Sequence, residues 1–359
     1  MTLSIKTSYE AMEARPVAAL PVGKEWQYEP KWDGFRCLAF RDGTRVELRS
    51  KSGRSLARYF PELVTALLQL TPKTFVLDGE IVVPDEKSLN FDALLQRIHP
   101  AASRVDRLAL ETPAVYVVFD LLVDQRNRPL VNEPLHERRV LLNAFADKYF
   151  GRSDDIVRLS PETRSVRVAR GWLAGRAGLD GVIAKRIDVP YGSGERTAMH
   201  KVKRIRTADC VVGGFRYATK GRVVGSLLLG LYDDAGLLNH VGYTSSLTTE
   251  ERAALTPKLE KLIRSPGFTG KKPGGASRWT TDRSAEWEPL ATKIVVEVTF
   301  DHVSGDRFRH GTGFVRWRPD KAPRQCTMEQ MDQPVVSMGT LLRKQKRSTS
   351  PRTNKTKAG

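Results

Sequence analysis

The chain of 359 residues carries 59 lysines and arginines against 41 aspartates and glutamates, which gives a formal net charge of +18. A single hydrophobic core rarely grows beyond ~250–300 residues, so this length predicts two domains. The basic surplus favours a polyanionic partner such as nucleic acid, because each neutralised phosphate releases counterions. The alternative is a basic surface that binds nothing.

Cysteine usage and hydropathy exclude several other classes. Cys37, Cys210 and Cys326 lie far apart in the sequence, which excludes a C-x-x-C zinc site, argues against a disulfide framework and fits a reducing cytosol. The sequence has no run of about 18 apolar residues and no apolar segment near its N-terminus. We therefore expect neither a membrane span nor a secretory signal, and we predict a cytoplasmic protein.

The predicted elements of the first half alternate between strands and helices. An Asp-Gly turn joins two short apolar runs into a predicted hairpin, and the helices follow from apolar residues at helical spacing. The predicted elements are a hairpin over 37–48, a helix over 57–70, strands over 75–83 and 115–123, helices over 134–149 and 165–177, and a strand over 181–185.

The second half has a different pattern, with short strands separated by glycine and aspartate turns. These strands are predicted over 209–215, 225–232, 237–243 and 294–300, with one helix over 249–263. Several short strands with one helix in ~120 residues indicate a small Greek-key barrel such as an OB-fold. The final stretch, 343–359, contains basic but no acidic residues, and we predict a disordered tail that either adds DNA affinity or keeps the protein in solution.

The first chemically suggestive segment runs from Glu29 to Arg36 and reads Glu-Pro-Lys-Trp-Asp-Gly-Phe-Arg. It places Lys31 directly before a predicted strand. On its own, Lys-x-Asp-Gly is common, and the simple interpretation is a solvated turn with Asp-Gly at its tip. The residues further along the chain make a functional role more specific.

Charged residues recur inside three later strands. Asp78 and Glu80 share one face of an apolar strand, where two carboxylates are costly without a cation or donor. The alternative is a surface strand with an acidic outer face. The segment Asp180–Lys185 repeats an acidic-Gly-apolar-Lys pattern, and Lys201 and Lys203 place two cations on one face, which indicates an anion such as phosphate.

A lysine, carboxylates for a hard metal and cations for phosphates together suit the transfer of a nucleotidyl group. The sequence contains no G-x-x-x-x-G-K-[ST] loop, so ordinary P-loop NTPase chemistry is disfavoured.

The order of these motifs resembles the covalent nucleotidyltransferase superfamily and, within it, bacterial ATP-dependent DNA ligases. Two later stretches, Gly225–Tyr232 and Arg307–Lys321, are similar to the ligase module of bacterial end-joining ligases. The resemblance implies an α+β nucleotidyltransferase (adenylation) domain over 1–206 and an OB-fold β-barrel over 207–333, followed by the basic tail over 334–359. It implies a minimal, stand-alone, monomeric enzyme that acts on nicked double-stranded DNA beside the bacterial nucleoid.

The resemblance also implies chemistry. Lysine attacks the α-phosphate of ATP, AMP passes to the 5′-phosphate of a nick, and the 3′-hydroxyl displaces AMP. Lys31 would be the nucleophile, with Mg²⁺ as the metal and Mn²⁺ as a possible replacement. We expect the neighbouring metal and cations to favour its neutral amine. The nucleotide ligands would be Glu29, Arg36, Lys51, Glu80, Phe119, Lys185, Lys201, Lys203, Arg316 and Arg318, and the metal ligands Asp78, Glu80 and Asp180.

Two residues depart from the family pattern. Asp180 stands where glutamate is usual, and it is one methylene shorter. Lys51, in Ser50-Lys-Ser-Gly53, replaces an arginine and loses the bidentate fork. We predict slightly weaker engagement of the triphosphate or the nick 5′-phosphate at Lys51.

Three alternatives remain at this point. An mRNA guanylyltransferase or an RNA ligase shares the lysine motif, but the C-terminal stretches disfavour it. An NAD-dependent ligase is disfavoured because cysteine zinc ligands are absent from the sequence. A non-catalytic OB-fold DNA-binding protein would use only the charge of +18.

Overall fold

The computed structural model describes residues 2–85, 89–151, 156–174, 179–274 and 286–332. We refer to residues 2–203 as the N-terminal region and to residues 206–332 as the C-terminal region. The predicted tail over 334–359 lies outside the described residues. Among the described helices, none is both long and apolar enough to cross a membrane.

The N-terminal region contains nine strands and five α-helices among its described residues. In chain order they are β1 (Arg15–Pro16), β2 (Trp26–Lys31), β3 (Phe35–Asp42), β4 (Arg45–Ser50), a 3-10 turn (Ala57–Tyr59), α1 (Pro61–Gln69), β5 (Thr74–Val82), α2 (Phe91–Gln96), α3 (Ala102–Glu111), β6 (Val115–Val123), α4 (Leu135–Tyr149), β7 (Val157–Leu159), α5 (Val166–Leu173), β8 (Gly181–Arg186) and β9 (Met199–Lys203).

Two sheets organise these strands. One has the order β4-β3-β5-β6-β7 and the other the order β1-β9-β8-β2. All nine residues of β6 are buried, as expected for a central strand that is covered on both faces. The predicted hairpin forms as β3 and β4, and its turn uses Gly43 at a positive φ of 60°.

Most predicted elements form within a few residues of their expected bounds, but the sequence pattern does not predict α2 and α3. Helix α2 spans a single turn and a half, and its start depends on the Asn90 side chain, which accepts a hydrogen bond from the backbone N–H of Ala93. Helix α3 buries only the narrow stripe of Val105 and Ala109. Both are too short or too polar for apolar periodicity to reveal them.

The C-terminal region is mainly β structure. Its elements are β10 (Arg206–Tyr217), β11 (Val224–Tyr232), β12 (Leu238–Thr244), α6 (Thr249–Glu260), β13 (Glu288–Pro289), β14 (Val295–Phe300), β15 (Val303–Ser304), β16 (Arg307–Phe308), β17 (Gly313–Trp317) and two 3-10 turns (Pro323–Gln325 and Met328–Met331).

The main sheet of this region has the order β12-β11-β10-β14-β17. Its two end strands meet only through an isolated bridge between Thr244 and Thr312 in the described chain. The strand ladders therefore do not close a complete barrel, which is compatible with the predicted OB-fold because that fold is partly open. Helix α6 begins with a capping box between Thr248 and Glu251.

The short hairpin β15–β16 projects between the two regions. We call residues 300–310 the docking hairpin. Its base is anchored on the C-terminal sheet, where the ring of Phe308 packs against that of Phe300 and Arg307 approaches the Nδ1 atom of His240. Its tip and flanks contact the N-terminal region, as described below.

Candidate active site

A cleft of ≈ 1080 Å³ opens between the two sheets of the N-terminal region. Its volume lies near the upper end of the ~300–1,000 Å³ typical of small-molecule sites, so a nucleotide fits. Eight of the residues that the sequence singles out line it: Glu29, Lys31, Arg36, Lys51, Glu80, Phe119, Lys185 and Lys201.

Strand register places Lys31 beside Asp180. Lys31 is the last residue of β2 and pairs with Gly181, the first residue of β8. A Cβ atom at Gly181 would collide with the carbonyl oxygen of Val202, so glycine is required where the strands approach this closely. The backbone N–H of Asp180 also donates to the carbonyl oxygen of Lys31 at 3.2 Å.

The Lys31 Nζ atom contacts the Oδ2 atom of Asp180, and the Asp180 side chain is only 2% exposed. Burial lowers the pKa of Lys31, but the negative charges of Asp180, Glu80 and Asp33 outweigh it, so the pKa lies above its usual value. The raised pKa differs from the sequence-based expectation that neighbouring groups favour the neutral amine of Lys31. Without added cations, Lys31 is held as an ammonium ion paired with Asp180.

Glu29 and Lys185 form the floor of the cleft. The Nζ atom of Lys185 lies 2.7 Å from Glu29 Oε2 and 4.4 Å from the centre of the Phe119 ring. Glu29 Oε1 accepts a hydrogen bond from the Gln27 side chain at 2.9 Å. These contacts fix the Glu29 carboxylate beside an aromatic face, an arrangement that can recognise a planar base with an amino group.

Arg36 is held from behind by Asp78. Its Nε and Nη2 atoms donate to the two oxygens of Asp78, both at 2.6 Å, and the guanidinium lies over Phe119. The Tyr191 hydroxyl donates to Asp78 at 2.7 Å. Both oxygens of the buried Asp78 are thus engaged, and this corrects the expectation of Asp78 as a metal ligand. Its carboxylate orients Arg36 instead.

Glu80 faces the cleft opposite Arg36 in the β3–β5 register. Burial raises the pKa of Glu80 to about 7, although the positive charges of Arg36 and Lys31 oppose the rise. A carboxyl group whose charge is poorly compensated is suited to receive a cation.

The predicted phosphate-binding cations are only partly available. Lys201 lines the cleft, and its pKa is lowered by burial and by Lys31, Lys51 and Lys203. An anion among these lysines would relieve that repulsion. Lys51 pairs with Glu13 at 2.9 Å, and Lys203 lies outside the cleft lining and pairs with Asp301 of the docking hairpin at 2.6 Å.

Arg316 and Arg318 lie away from the cleft. Arg316 pairs with Glu297 at 2.6 Å, and Arg318 pairs with Asp209 at 2.7 Å, so both are bound to acidic side chains of their own sheet. The structure therefore does not bring these two predicted nucleotide ligands to Lys31, and their predicted role requires the C-terminal region to adopt another orientation.

The docking hairpin approaches Lys31 instead. Arg309 Nη1 lies 2.8 Å from Asp33 Oδ2, and its guanidinium lies 3.3 Å from the centre of the Phe91 ring. The His302 ring lies between Asp33 and Asp180. A smaller cavity of ≈ 230 Å³ opens at this contact. The sequence pattern assigns no site role to His302 or Arg309, because no strand periodicity marks them and their partners are more than 100 residues away.

Comparison with known proteins shows the family of the chain. A family model described as ATP dependent DNA ligase domain matches residues 10–203, and one described as ATP dependent DNA ligase C terminal region matches residues 220–321. The first match covers more than half of the chain. The chain belongs to the family of ATP-dependent DNA ligases.

Individual relatives point the same way. DNA ligase C2 of Mycolicibacterium smegmatis is 43% identical over 355 residues, a match that covers 94% of this chain and 98% of the relative. DNA ligase C of Mycobacterium tuberculosis is 40% identical over 351 residues, covering 94% and 97%. A solved structure of a Lig E DNA ligase, 18% identical, has a TM-score of 0.52 with coverage of 86% and 99%, which supports the fold alone.

These comparisons confirm the expected nucleotidyltransferase domain and C-terminal OB-fold domain of an ATP-dependent DNA ligase. They disfavour the guanylyltransferase and the non-catalytic DNA-binding protein.

Proposed function

We propose that this enzyme seals nicks in double-stranded DNA and that Lys31 carries AMP as a covalent intermediate. The observation that carries the proposal is the position of Lys31: its amine lies in a nucleotide-sized cleft, against a buried carboxylate and near further cations. The chain's membership of the DNA ligase family makes ATP and DNA its expected substrates.

The first step forms a P–N bond between Lys31 and the α-phosphorus of ATP and breaks the P–O bond to pyrophosphate. Lys31 must first lose a proton, because only the free amine is a nucleophile. The pKa of Lys31 is raised by Asp180, so this ion pair would have to loosen before attack, with the proton passing to the Asp180 carboxylate or to water.

Two further displacements complete the reaction. A 5′-phosphate oxygen of the nick attacks the AMP phosphorus and releases Lys31. The 3′-hydroxyl then attacks the 5′-phosphate, forms the phosphodiester bond, and expels AMP. Each displacement exchanges one P–N or P–O bond for another, so no oxidant or further co-substrate is needed.

The geometry supports separate roles for the cleft residues. Glu29 would accept a hydrogen bond from the adenine amine, and Phe119 would stack on the base. Arg36, oriented by Asp78, would contact the ribose. Lys185 would hold Glu29 in place and approach the α-phosphate from the floor of the cleft.

Three more lysines would bind phosphates. Lys201 lies on the cleft wall and is our main candidate for the α-phosphate, where charge develops during attack. Lys203 now pairs with Asp301, and Lys51 pairs with Glu13. Both lysines would bind phosphate once these ion pairs open. Arg316 and Arg318 would bind pyrophosphate in a different orientation of the C-terminal region.

The residues also fit a divalent metal. Asp180 Oδ1 is buried and has no hydrogen-bond partner among the described residues, and Glu80 is a poorly compensated carboxyl. These two oxygen donors would hold Mg²⁺, or Mn²⁺ in its place. When bound, the ion supplies charge neutralisation at the phosphates.

We further propose a monomeric enzyme associated with the bacterial nucleoid in the cytoplasm. The net charge of +18 supports contact with chromosomal DNA, and the three cysteines are buried and free.

Mass spectrometry tests the proposed nucleophile. Incubation with ATP and Mg²⁺ should raise the mass by one AMP, and peptide mapping should place the adduct on Lys31. Lys31→Ala should carry no adduct, whereas Lys73→Ala, at an exposed position, should be adenylated like the wild type. Labelling by GTP but not ATP, or an adduct on another lysine, would contradict the proposal.

A further inference from the structure

The His302 ring is held between carboxylates of the N-terminal region. Its Nε2 atom lies 3.2 Å from Asp33 Oδ2, and its Nδ1 atom lies 3.2 Å from Asp180 Oδ1. The side chains of His302 and Asp180 are 13% and 2% exposed. His302 thus brings an imidazole from the C-terminal region to within reach of the carboxylate that contacts Lys31.

The two contacts of the ring are not equivalent. Nε2 is close enough to Asp33 for its N–H to donate to that carboxylate. On the other side, both His302 Nδ1 and Asp180 Oδ1 are buried and lack a hydrogen-bond partner in the described parts of the chain, although they face each other. A neutral imidazole with its proton on Nε2 presents a lone pair at Nδ1. A lone pair facing a buried carboxylate oxygen is unfavourable unless a proton or a metal cation lies between the two atoms.

The separation of these two atoms suits two ligands of one ion. Ligands about 2.1 Å from a shared metal and 3.2 Å from each other subtend an angle of roughly 100°, between octahedral and tetrahedral values. A metal-bound histidine usually donates its other ring N–H to a carboxylate, which fixes the tautomer. Asp33 occupies that position.

An acidic cavity adjoins the pair and offers a route of entry for a cation. Ligand atoms of Asp301, His302 and His310 all lie within 4.8 Å of one another. The adjoining cavity of ≈ 230 Å³ is lined by five aspartates and three arginines, with His302 at its wall. Lys203 pairs with one oxygen of Asp301, and the Nδ1 atom of His310 lies 2.9 Å from the other.

We propose that docking of the two regions creates a divalent metal site in which Asp180 Oδ1 and His302 Nδ1 are ligands, while Asp33 orients the imidazole. The inference rests on the proposed function, because the proposed function already assigns Asp180 as a ligand of the divalent metal. It adds a nitrogen ligand from the C-terminal region. Imidazole suits transition metals such as Zn²⁺ better than Mg²⁺, so a nitrogen ligand shifts the preference of the docked enzyme away from Mg²⁺.

Pulsed EPR of Mn²⁺ bound to the full chain, without ATP, tests this ligand set. We expect hyperfine coupling to an imidazole ¹⁴N in the wild type. The coupling should vanish in His302→Ala and in His302→Gln, which retains a side-chain donor for Asp33. The exposed His136→Ala variant should keep it. Mn²⁺ affinity should fall by at least about 10-fold in both His302 variants, because loss of an outer-shell partner alone costs about 10- to 100-fold.

Several results would overturn the proposal. The wild type could bind no Mn²⁺, or it could bind Mn²⁺ without ¹⁴N coupling. The coupling could persist in the His302 variants. Finally, Mn²⁺ could bind more tightly once His302 is replaced. The last result would identify His302 as a competitor of the metal, bridging Asp33 and Asp180 by itself. Lysyl-AMP formation by the wild type with Mg²⁺ is measured in parallel. Its failure would contradict the proposed function, whereas intact adenylation without ¹⁴N coupling overturns the metal site alone.

Discussion

The nucleotide cleft and the docking face meet at Asp180, but they are built in different ways. In the cleft, Lys31 and Lys201 lie on one sheet, and Arg36 and Glu80 lie on the other. Within each pair, the relative position follows from backbone register. At the docking face, His302 and Arg309 lie on a short hairpin whose partners come from distant parts of the chain. The cleft is therefore expected to persist when the regions separate, whereas the docking face exists only when they are together.

The largest expected effect concerns the cleft. Lys31→Arg should reduce lysyl-AMP formation by about 10³-fold or more, because arginine keeps the charge but does not deprotonate to a nucleophile. Single-turnover adenylation with labelled ATP measures this directly. Adenylation near the wild-type rate would show that another residue carries AMP.

The next largest effect concerns Asp78, which holds the Arg36 side chain in place at the cleft. Asp78→Ala leaves the Arg36 guanidinium without its buried partner, and loss of one member of such a pair costs about 3–5 kcal/mol. Urea unfolding should show this loss, and the KM for ATP should rise. Glu111→Ala removes an exposed pair with Arg107 and should change stability by less than about 0.5 kcal/mol. Equal stability of the two variants would contradict the role of Asp78.

The Arg309→Ala variant distinguishes the role of the docking face from that of the nucleotide cleft. It removes both the Asp33 ion pair and the contact with Phe91, which together should cost about 2–3 kcal/mol of docking, or roughly 30- to 150-fold. We expect nick sealing to slow by that factor while lysyl-AMP formation changes much less. Arg222→Ala, at a side chain 82% exposed, serves as the control. An equal loss in both steps would show that docking also serves adenylation.

The base of the docking hairpin has its own pH dependence. Burial, followed by the charges of Arg307 and Arg216, lowers the pKa of His240 from 6.5 to about 3. The unfolded chain then binds more protons between these values, so the stability present above pH 6.5 is lost as the pH falls toward 3. At pH 5 the loss from this group is about 2 kcal/mol.

Urea unfolding of wild type and His240→Asn at pH 7.5 and 5.0 measures this contribution. The variant should lose about 2 kcal/mol less than the wild type on acidification. His136→Asn, at a solvent-exposed position, should follow the wild type. An unchanged pH dependence in His240→Asn would contradict a neutral, buried His240.

The smallest expected effect is at Lys51. Its side chain is 58% exposed and paired with Glu13, so Lys51→Arg should change binding of the triphosphate or the nick by only about 0.5 kcal/mol. We expect a slight gain, because arginine supplies a bidentate fork. Lower affinity for nicked DNA in an equilibrium titration would count against that prediction.

The sequence predicts the cleft better than the docking face for a physical reason. Asp78-Gly-Glu80 and Lys201-Val-Lys203 lie within strands, and the period of two already indicates which side chains share a face. This period does not reveal that Arg36 and Tyr191 engage both oxygens of Asp78, because Tyr191 lies more than 100 residues further along the chain. In this orientation of the C-terminal region, Arg316 pairs with Glu297 and His302 approaches Asp180. The orientation depends on tertiary contacts, and no local sequence pattern encodes them.

The most direct test of the central claim is a single-turnover chase of the isolated intermediate. Protein adenylated on Lys31 is freed of ATP and mixed with a duplex carrying one nick with a 3′-hydroxyl and a 5′-phosphate. We predict that one nick is sealed for each adduct consumed, with AMP released and Lys31 returned to its unmodified mass. Persistence of the Lys31 adduct while nicks are sealed, or sealing that begins only when ATP is added, would contradict the account.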